Sequence, residues 1–202
     1  MESHANQVVV LSGGESIATD RDFDLPHDAY VIAADSGLHH AEALGLAVDL
    51  VVGDMDSVDA ALLDNAVRDG SSMQRYPADK DHTDLELAFE AALAMGASRV
   101  LVVGSHAGRL DHLLGSMGLF AATAEQVDEI VWTDGHTIAT ACTPRHTSTI
   151  TGQPGDRLSL IPTGTDVAVL FEAPDADGLA GLLFIEACLR STERGAWQPV
   201  EG

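Results

Sequence analysis

Val51-Val52-Gly53-Asp54-Met55-Asp56-Ser57 closes a short aliphatic run, begun at Asp49, with a glycine and an acidic loop. A run of that length, bounded by turn formers, is the pattern of a strand buried on both faces. The pattern returns at Arg99 to Val103, which leads through Gly104 into Gly108-Arg109-Leu110-Asp111-His112. Between the two lies Lys80-Asp81-His82-Thr83-Asp84-Leu85-Glu86, at the head of a stretch with helical apolar spacing. Open α/β sheets present ligand sites at the carboxyl ends of their strands. Three acidic clusters placed there decide the fold class and point to the chemistry together.

Working outward, the chain alternates. Strands are expected at Val8 to Leu11, Tyr30 to Ala34, Asp49 to Val52, Arg99 to Val103 and Glu129 to Trp132. Helices are expected at Gly37 to Leu44, Ala60 to Arg68, Asp84 to Met95 and Asp111 to Ala122. Such βα repetition predicts a mostly parallel sheet with flanking helices. Thr83 is placed to cap the helix from Asp84, and Gly96 to end it. After Thr133 the texture becomes Thr-rich and β-prone: Thr137 to Thr143, Thr147 to Thr151 and Arg157 to Ile161, separated by Gly/Pro turns. The expected division is therefore an α/β domain, read as nucleotide-binding from its acidic strand ends, over 1–133 and a smaller antiparallel β domain, ending in a stretch that fits neither pattern, over 134–202.

With 32 acidic against 10 basic residues, a net charge of −22 repels polyanions, so neither a nucleic acid nor an anionic membrane is an expected partner. Any bound nucleoside triphosphate then needs a metal and a few positioned cations. Cys142 and Cys188 show no C-x-x-C spacing, Met1 to Gln7 lacks the basic region of a secretory leader, and the apolar stretch from Gly178 to Leu189 is too short to span a membrane. A cytoplasmic protein is expected.

Asp54 and Asp56, two apart, can turn both carboxylates to one side of an extended chain and share one cation. Magnesium takes hard oxygen ligands, keeping one or two carboxylates beside waters and phosphates, and Asp84 can arrive as a third. A solvated Asp-rich turn would read the same way in isolation. Lys80, the single lysine, lies between Asp79 and Asp81, either as a surface ion pair or as the point charge that meets a phosphate. Arg109 can clamp a phosphate bidentately where a helix opens. Asp111 alone reads as a cap and His112 alone as a structural histidine, but together they mark a third strand end. Asp35, in Ala34-Asp35-Ser36-Gly37, adds a carboxylate for substrate or nucleotide hydroxyls. No Gly-x-Ser-x-Gly elbow, Cys/His pair or Walker loop is present. What remains suits phosphoryl-type transfer from a magnesium nucleotide, by positioning and charge neutralisation.

Four motifs in this order, Ala34-Asp35-Ser36-Gly37, Gly53-Asp54-Met55-Asp56-Ser57, Lys80-Asp81-His82-Thr83-Asp84-Leu85-Glu86-Leu87-Ala88 and Gly108-Arg109-Leu110-Asp111-His112, resemble the thiamin pyrophosphokinase family over roughly residues 8–133. The resemblance implies transfer of a diphosphate from ATP to the hydroxyl of thiamin, with attack at the β-phosphorus and release of AMP. It implies Mg2+ held by Asp54, Asp56 and Asp84. It sets Lys80, Asp81, Thr83, Arg109, Asp111 and His112 around the nucleotide, with Asp35 in the same cleft and Arg109 counted with the three metal aspartates as catalytic. It also implies a homodimer with a C-terminal β-sandwich. Residues 169–202 lack the family's Gly-Leu-x-Tyr/Trp-Pro-Leu and Ser-Asn-Glu segments. Two alternatives therefore stay open: a related diphosphokinase for another hydroxymethyl acceptor such as a pterin, and a nucleotide-binding protein without transferase activity.

Overall fold

In a computed structural model the described residues are 6–20, 23–79, 81–105 and 108–143, with 148, 150, 152, 157–159 and 161 beyond them. Among these, seven strands form one sheet and four helices flank it. In chain order the elements are β1 (Gln7–Leu11), β2 (Tyr30–Ala34), α1 (Gly37–Leu44), β3 (Leu50–Gly53), α2 (Ala60–Arg68), β4 (Ser72–Arg75), α3 (Asp84–Ala94), β5 (Arg99–Val103), α4 (Leu110–Ala124), β6 (Glu129–Thr133) and β7 (Ile138–Thr140). The α/β class with a mostly parallel sheet is as expected from the sequence.

The alternation of side chains along each strand explains why the sheet is covered on both faces. Val8, Val10, Ile32, Val52, Val100 and Val102 point to one face, where they pack with Leu85, Phe89 and Ala92 of α3 and Phe120 of α4. Val9, Leu11, Val31, Ala33, Val51 and Val103 point to the other, against Leu38 and Ala41 of α1 and Leu63 of α2. Ile32 is fully buried, so truncating it to Ala would cost about 2–5 kcal/mol.

Strand order is β4-β3-β2-β1-β5-β6-β7, all neighbours parallel except β6 and β7. The chain walks outward from β1 through β2 and β3 to β4. Helix α3 then carries it back under the sheet to β5, on the other side of β1. This reversal beside β1 is the topological switch point, where a crevice opens above the strand ends. Because α3 begins on the β3 and β4 side, its first turn sits below the ends of β2 and β3.

Two elements differ from expectation. Strand β4 has no apolar run to announce it, because all four of its residues are exposed. It exists through edge pairing with β3, begun by Ser72 N–H donating to the Asp49 carbonyl at 2.8 Å. Strand β7, from the segment read as the start of the second domain, instead pairs antiparallel with β6 and extends this sheet. The turn between them is closed by Asp134 Oδ1, which accepts from His136 and Thr137 N–H at 2.9 and 2.7 Å. The chain divides into compact units at Ala141/Cys142. Of the later expected β segments, the described residues 148, 150, 157–159 and 161 carry no strand; the rest of those segments and Cys188 lie outside the described residues, while Cys142 is free and exposed.

Candidate active site

Asp35, Asp54 and Asp56 come together at the carboxyl ends of β2 and β3. One carboxylate oxygen from each lies within 4.8 Å of the other two. Backbone conformation places them. Asp35 follows β2 with φ at 45° and donates its N–H to the Val52 carbonyl at 2.8 Å. Met55 has φ at 64° and is buried, which turns Asp54 and Asp56 outward on either side of it. Left-handed non-glycine residues of this kind cost energy and collect at functional sites. The Asp54 Oδ1 accepts from Asp56 N–H at 3.1 Å, and Ser57 Oγ donates to Asp56 Oδ1 at 2.8 Å.

The Asp35 carboxyl is only 7% exposed, and its Oδ1 is buried with no hydrogen-bond partner among the described residues. Burial pushes its pKa above the ordinary carboxylate range. The Asp84 and Asp54 carboxylates push the same way, while the Ser36 N–H and the Ser57 hydroxyl oppose them. A buried carboxylate among others with an orphan oxygen is an arrangement that a hard divalent cation relieves. Asp84 borders this group from the first turn of α3, its Oδ1 close against Gly53. The trio within 4.8 Å thus takes Asp35 as its third member, with Asp84 alongside.

Thr83, expected near the nucleotide, has a local duty. Its Oγ1 accepts from Glu86 N–H at 3.2 Å as the N-cap of α3. Asp81 is exposed just before it, and Lys80 lies outside the described residues. Arg109, Asp111 and His112 stand at the start of α4, after β5, with β1 between their strand and β2. All three are exposed. The Arg109 guanidinium grips Asp111 through Nε to Oδ1 at 3.1 Å and through Nη2 to Oδ2. That pairing raises the arginine pKa and lowers that of the carboxyl. The structure therefore brings together the aspartates of β2, β3 and α3, and holds the α4 group as a separate exposed pair.

Sequence reasoning missed His40. It is 5% exposed on α1, and its Nε2 lies 3.1 Å from the Glu15 carbonyl. Burial lowers its pKa, against the raising effect of the Glu15 and Ser12 backbone. His40 lines a cavity of about 510 Å³ with Gly14, Ser16, Thr19, Ser36 and His39, beyond the ends of β1 and β2. The size suits a small molecule. The available signal was the Gly13-Gly14 pair after β1 and a histidine inside an apolar helix face.

Residues 25–131 match the family described as thiamin pyrophosphokinase, catalytic domain. Among solved structures, the chain is similar to thiamin pyrophosphokinase from Geobacillus thermodenitrificans, with 28% identity and a TM-score of 0.52 over 63% of this chain and 59% of that one. Thiamine pyrophosphokinase from Bacillus subtilis gives 23% identity and 0.52 over 63% and 60%. Thiamin pyrophosphokinase from Candida albicans gives 16% and 0.51 over 64% and 58%. The last two likenesses are of fold alone. The matched length is about three-fifths of each solved relative. No curated protein matches the chain.

Proposed function

Since the chain belongs to the thiamin pyrophosphokinase family through its catalytic domain, we propose that it transfers a diphosphate from Mg-ATP to the primary hydroxyl of thiamin, releasing AMP. The observation that supports this most is the carboxylate group of Asp35, Asp54 and Asp56 at adjoining strand ends, with a buried oxygen of Asp35 lacking a partner. Its donors are all hard oxygens, the set that Mg2+ selects. Asp54 and Asp56 would hold the ion, with Asp35 and Asp84 beside them. When bound, the ion supplies neutralisation of phosphate charge in a chain that otherwise repels it.

The remaining work falls to the chain's own residues. Asp54 and Asp56 would keep the ion, and with it the nucleotide's phosphates, at the strand ends. Thr83 holds the first turn of α3, and so the Asp84 carboxylate, in place. Arg109 exchanges its Asp111 partner for phosphate oxygens, a bidentate grip for which its fork is already oriented. Lys80, Asp81 and His112 complete the phosphate surroundings in this reading. In-line attack by the acceptor hydroxyl at the β-phosphorus forms the new P–O bond as the bond to the AMP oxygen breaks, and the hydroxyl proton leaves to solvent.

The test is AMP release from Mg-ATP by the purified protein, with thiamin present and absent, the acceptor followed by mass. Thiamin-dependent AMP with a diphosphate mass gain is expected. ATP binding without thiamin-dependent turnover would reject the reaction. A second reading, another hydroxymethyl acceptor such as a pterin, is favoured by one fact: residues 169–202 lack the Gly-Leu-x-Tyr/Trp-Pro-Leu and Ser-Asn-Glu segments. Competition between acceptors separates the two. A homodimer and a cytoplasmic setting belong to the same proposal, the first checked by sedimentation. Among the described residues no helix is long and apolar enough to cross a membrane.

A further inference from the structure

On the outer side of α3, away from the carboxylate group just described, a histidine meets two glutamates. His82 Nδ1 lies 3.2 Å from Glu86 Oε1 and 3.6 Å from Glu90 Oε1, and all three donors fall within 4.8 Å of one another. Glu86 and Glu90 stand a turn apart on one face of α3, and His82, just ahead of the N-cap Thr83, reaches both from outside the helix. Glu86 and Glu90 are fixed on α3 by the buried Leu85, Leu87, Ala88, Phe89 and Ala92 between and beyond them. His82 comes immediately before Thr83, the N-cap whose Oγ1 accepts from Glu86 N–H.

From this geometry we infer a second metal site, in which His82, Glu86 and Glu90 bind a first-row transition ion of the Zn2+ type, with solvent completing its coordination. Three observations carry it. First, the donors are mixed: an imidazole nitrogen with two carboxylates suits zinc and its neighbours, whereas magnesium takes oxygens alone. Secondly, the spacing fits: metal–ligand distances of about 2.0–2.2 Å set neighbouring donors of a tetrahedron roughly 3.3–3.6 Å apart. Both histidine–glutamate distances lie at or close to that edge length, and the two glutamate oxygens lie within 4.8 Å of each other. Thirdly, two glutamates four apart on a helix repel each other, and they do so in a chain of net charge −22. A divalent ion between them removes that repulsion.

The simpler account is an exposed imidazole shared by two carboxylates, since the three side chains are 48%, 32% and 57% exposed. The two accounts part on metal binding. An ion here ties the segment before α3 to the first and second turns of the helix, the first of which also carries Asp84. It does so with a ligand chemistry unlike that of the aspartate group. The inference does not depend on the proposed reaction.

The experiment titrates the full chain with Zn2+ by calorimetry in large excess of Mg2+, and follows thermal melting under the same conditions. One Mg2+-resistant equivalent of Zn2+ is expected, with a rise in melting temperature. Glu90→Gln and His82→Gln, at exposed positions, are each expected to bind that equivalent at least about tenfold more weakly and to lose the rise. Melting of each variant without zinc, unchanged from the parent, shows that the variant is folded. Asp54→Asn is expected to keep the Zn2+ equivalent, which separates the two sites. No Mg2+-resistant Zn2+ binding by the unmodified chain, or full binding in either the His82 or the Glu90 variant, would overturn the inference.

Discussion

The Oδ1 of Asp84 stands 2.8 Å from the point where a Cβ on Gly53 would lie, and the Asp35 Cβ stands 3.1 Å from the same point. Gly53 also has φ at 144°, a conformation that side-chain-bearing residues rarely adopt. Strand β3 can therefore end this close to two carboxylates only as glycine. Gly53→Ala is expected to cost about 1–3 kcal/mol of stability and to push Asp84 aside. AMP release should fall at least about tenfold, as a small misplacement does at a positioned site. Thermal melting and turnover measured on the same preparation check this, and a variant with parental turnover would show that the contact does not hold the site together.

Asp54→Asn and Asp56→Asn each keep the local shape and remove a hard anionic ligand. Turnover is expected to fall on the order of 10²–10³-fold in each, the scale seen when one stabilising group leaves an active site. Assaying across a magnesium series checks the cause, since higher Mg2+ should recover part of the loss. Unchanged rates would break the metal assignment.

Asp35→Asn should behave differently without magnesium. A carboxyl whose folded pKa is raised contributes stability that is present below the ordinary carboxylate range and lost as pH rises through the raised value. At neutral pH the parent therefore carries a cost that the asparagine variant lacks. The variant is expected to melt higher than the parent in metal-free buffer at pH 7, to match it in acid, and to lose magnesium-dependent turnover. A lower melting temperature at pH 7 would contradict the burial argument.

His40 has the opposite sign. Burial lowers its pKa from the ordinary 6.5, so on acidification the unfolded chain takes up this proton before the folded one. The stability that His40 contributes is present above the ordinary imidazole value and is lost as pH falls from there through the lowered value, at up to about 1.4 kcal/mol per pH unit. Denaturant unfolding of the parent and of His40→Gln at several pH values checks this. The difference in slope between them should appear only below the ordinary imidazole range.

How much of this was legible beforehand depends on what kind of force places each element. The buried strands were, because Val8 to Leu11 or Arg99 to Val103 can satisfy a hydrophobic run only inside a covered sheet. Strand β4 was not, since Ser72 to Arg75 are exposed and owe their conformation to the neighbour β3. For β7 the β-prone sequence was clear and the sheet it joins was not, because pairing partners are a property of topology. At the site, Asp54 and Asp56 were placed by their own spacing. That Asp35 closes the trio depends on the β2–β3 neighbourhood and on its φ, which no spacing records. His40 lies buried on α1, yet it borders a cavity that only the folded loops create.

Arg109 is where binding and stability should separate most cleanly. Its guanidinium and the Asp111 carboxylate are 70% and 65% exposed and paired with each other. Exposed pairs of this kind contribute little to folding. Arg109→Ala should therefore leave the melting temperature within error of the parent. If the arginine exchanges Asp111 for phosphate, the same variant should need at least about tenfold more Mg-ATP for half-saturation, the loss expected for one charge-assisted bidentate contact. Arg109→Lys should recover only part of that, because an ammonium restores the charge without the planar fork. Steady-state kinetics in Mg-ATP, run beside melting curves for the three proteins, decide the matter. Full recovery by lysine would mean that charge alone is needed, and a parental KM in the alanine variant would confine Arg109 to its pairing with Asp111.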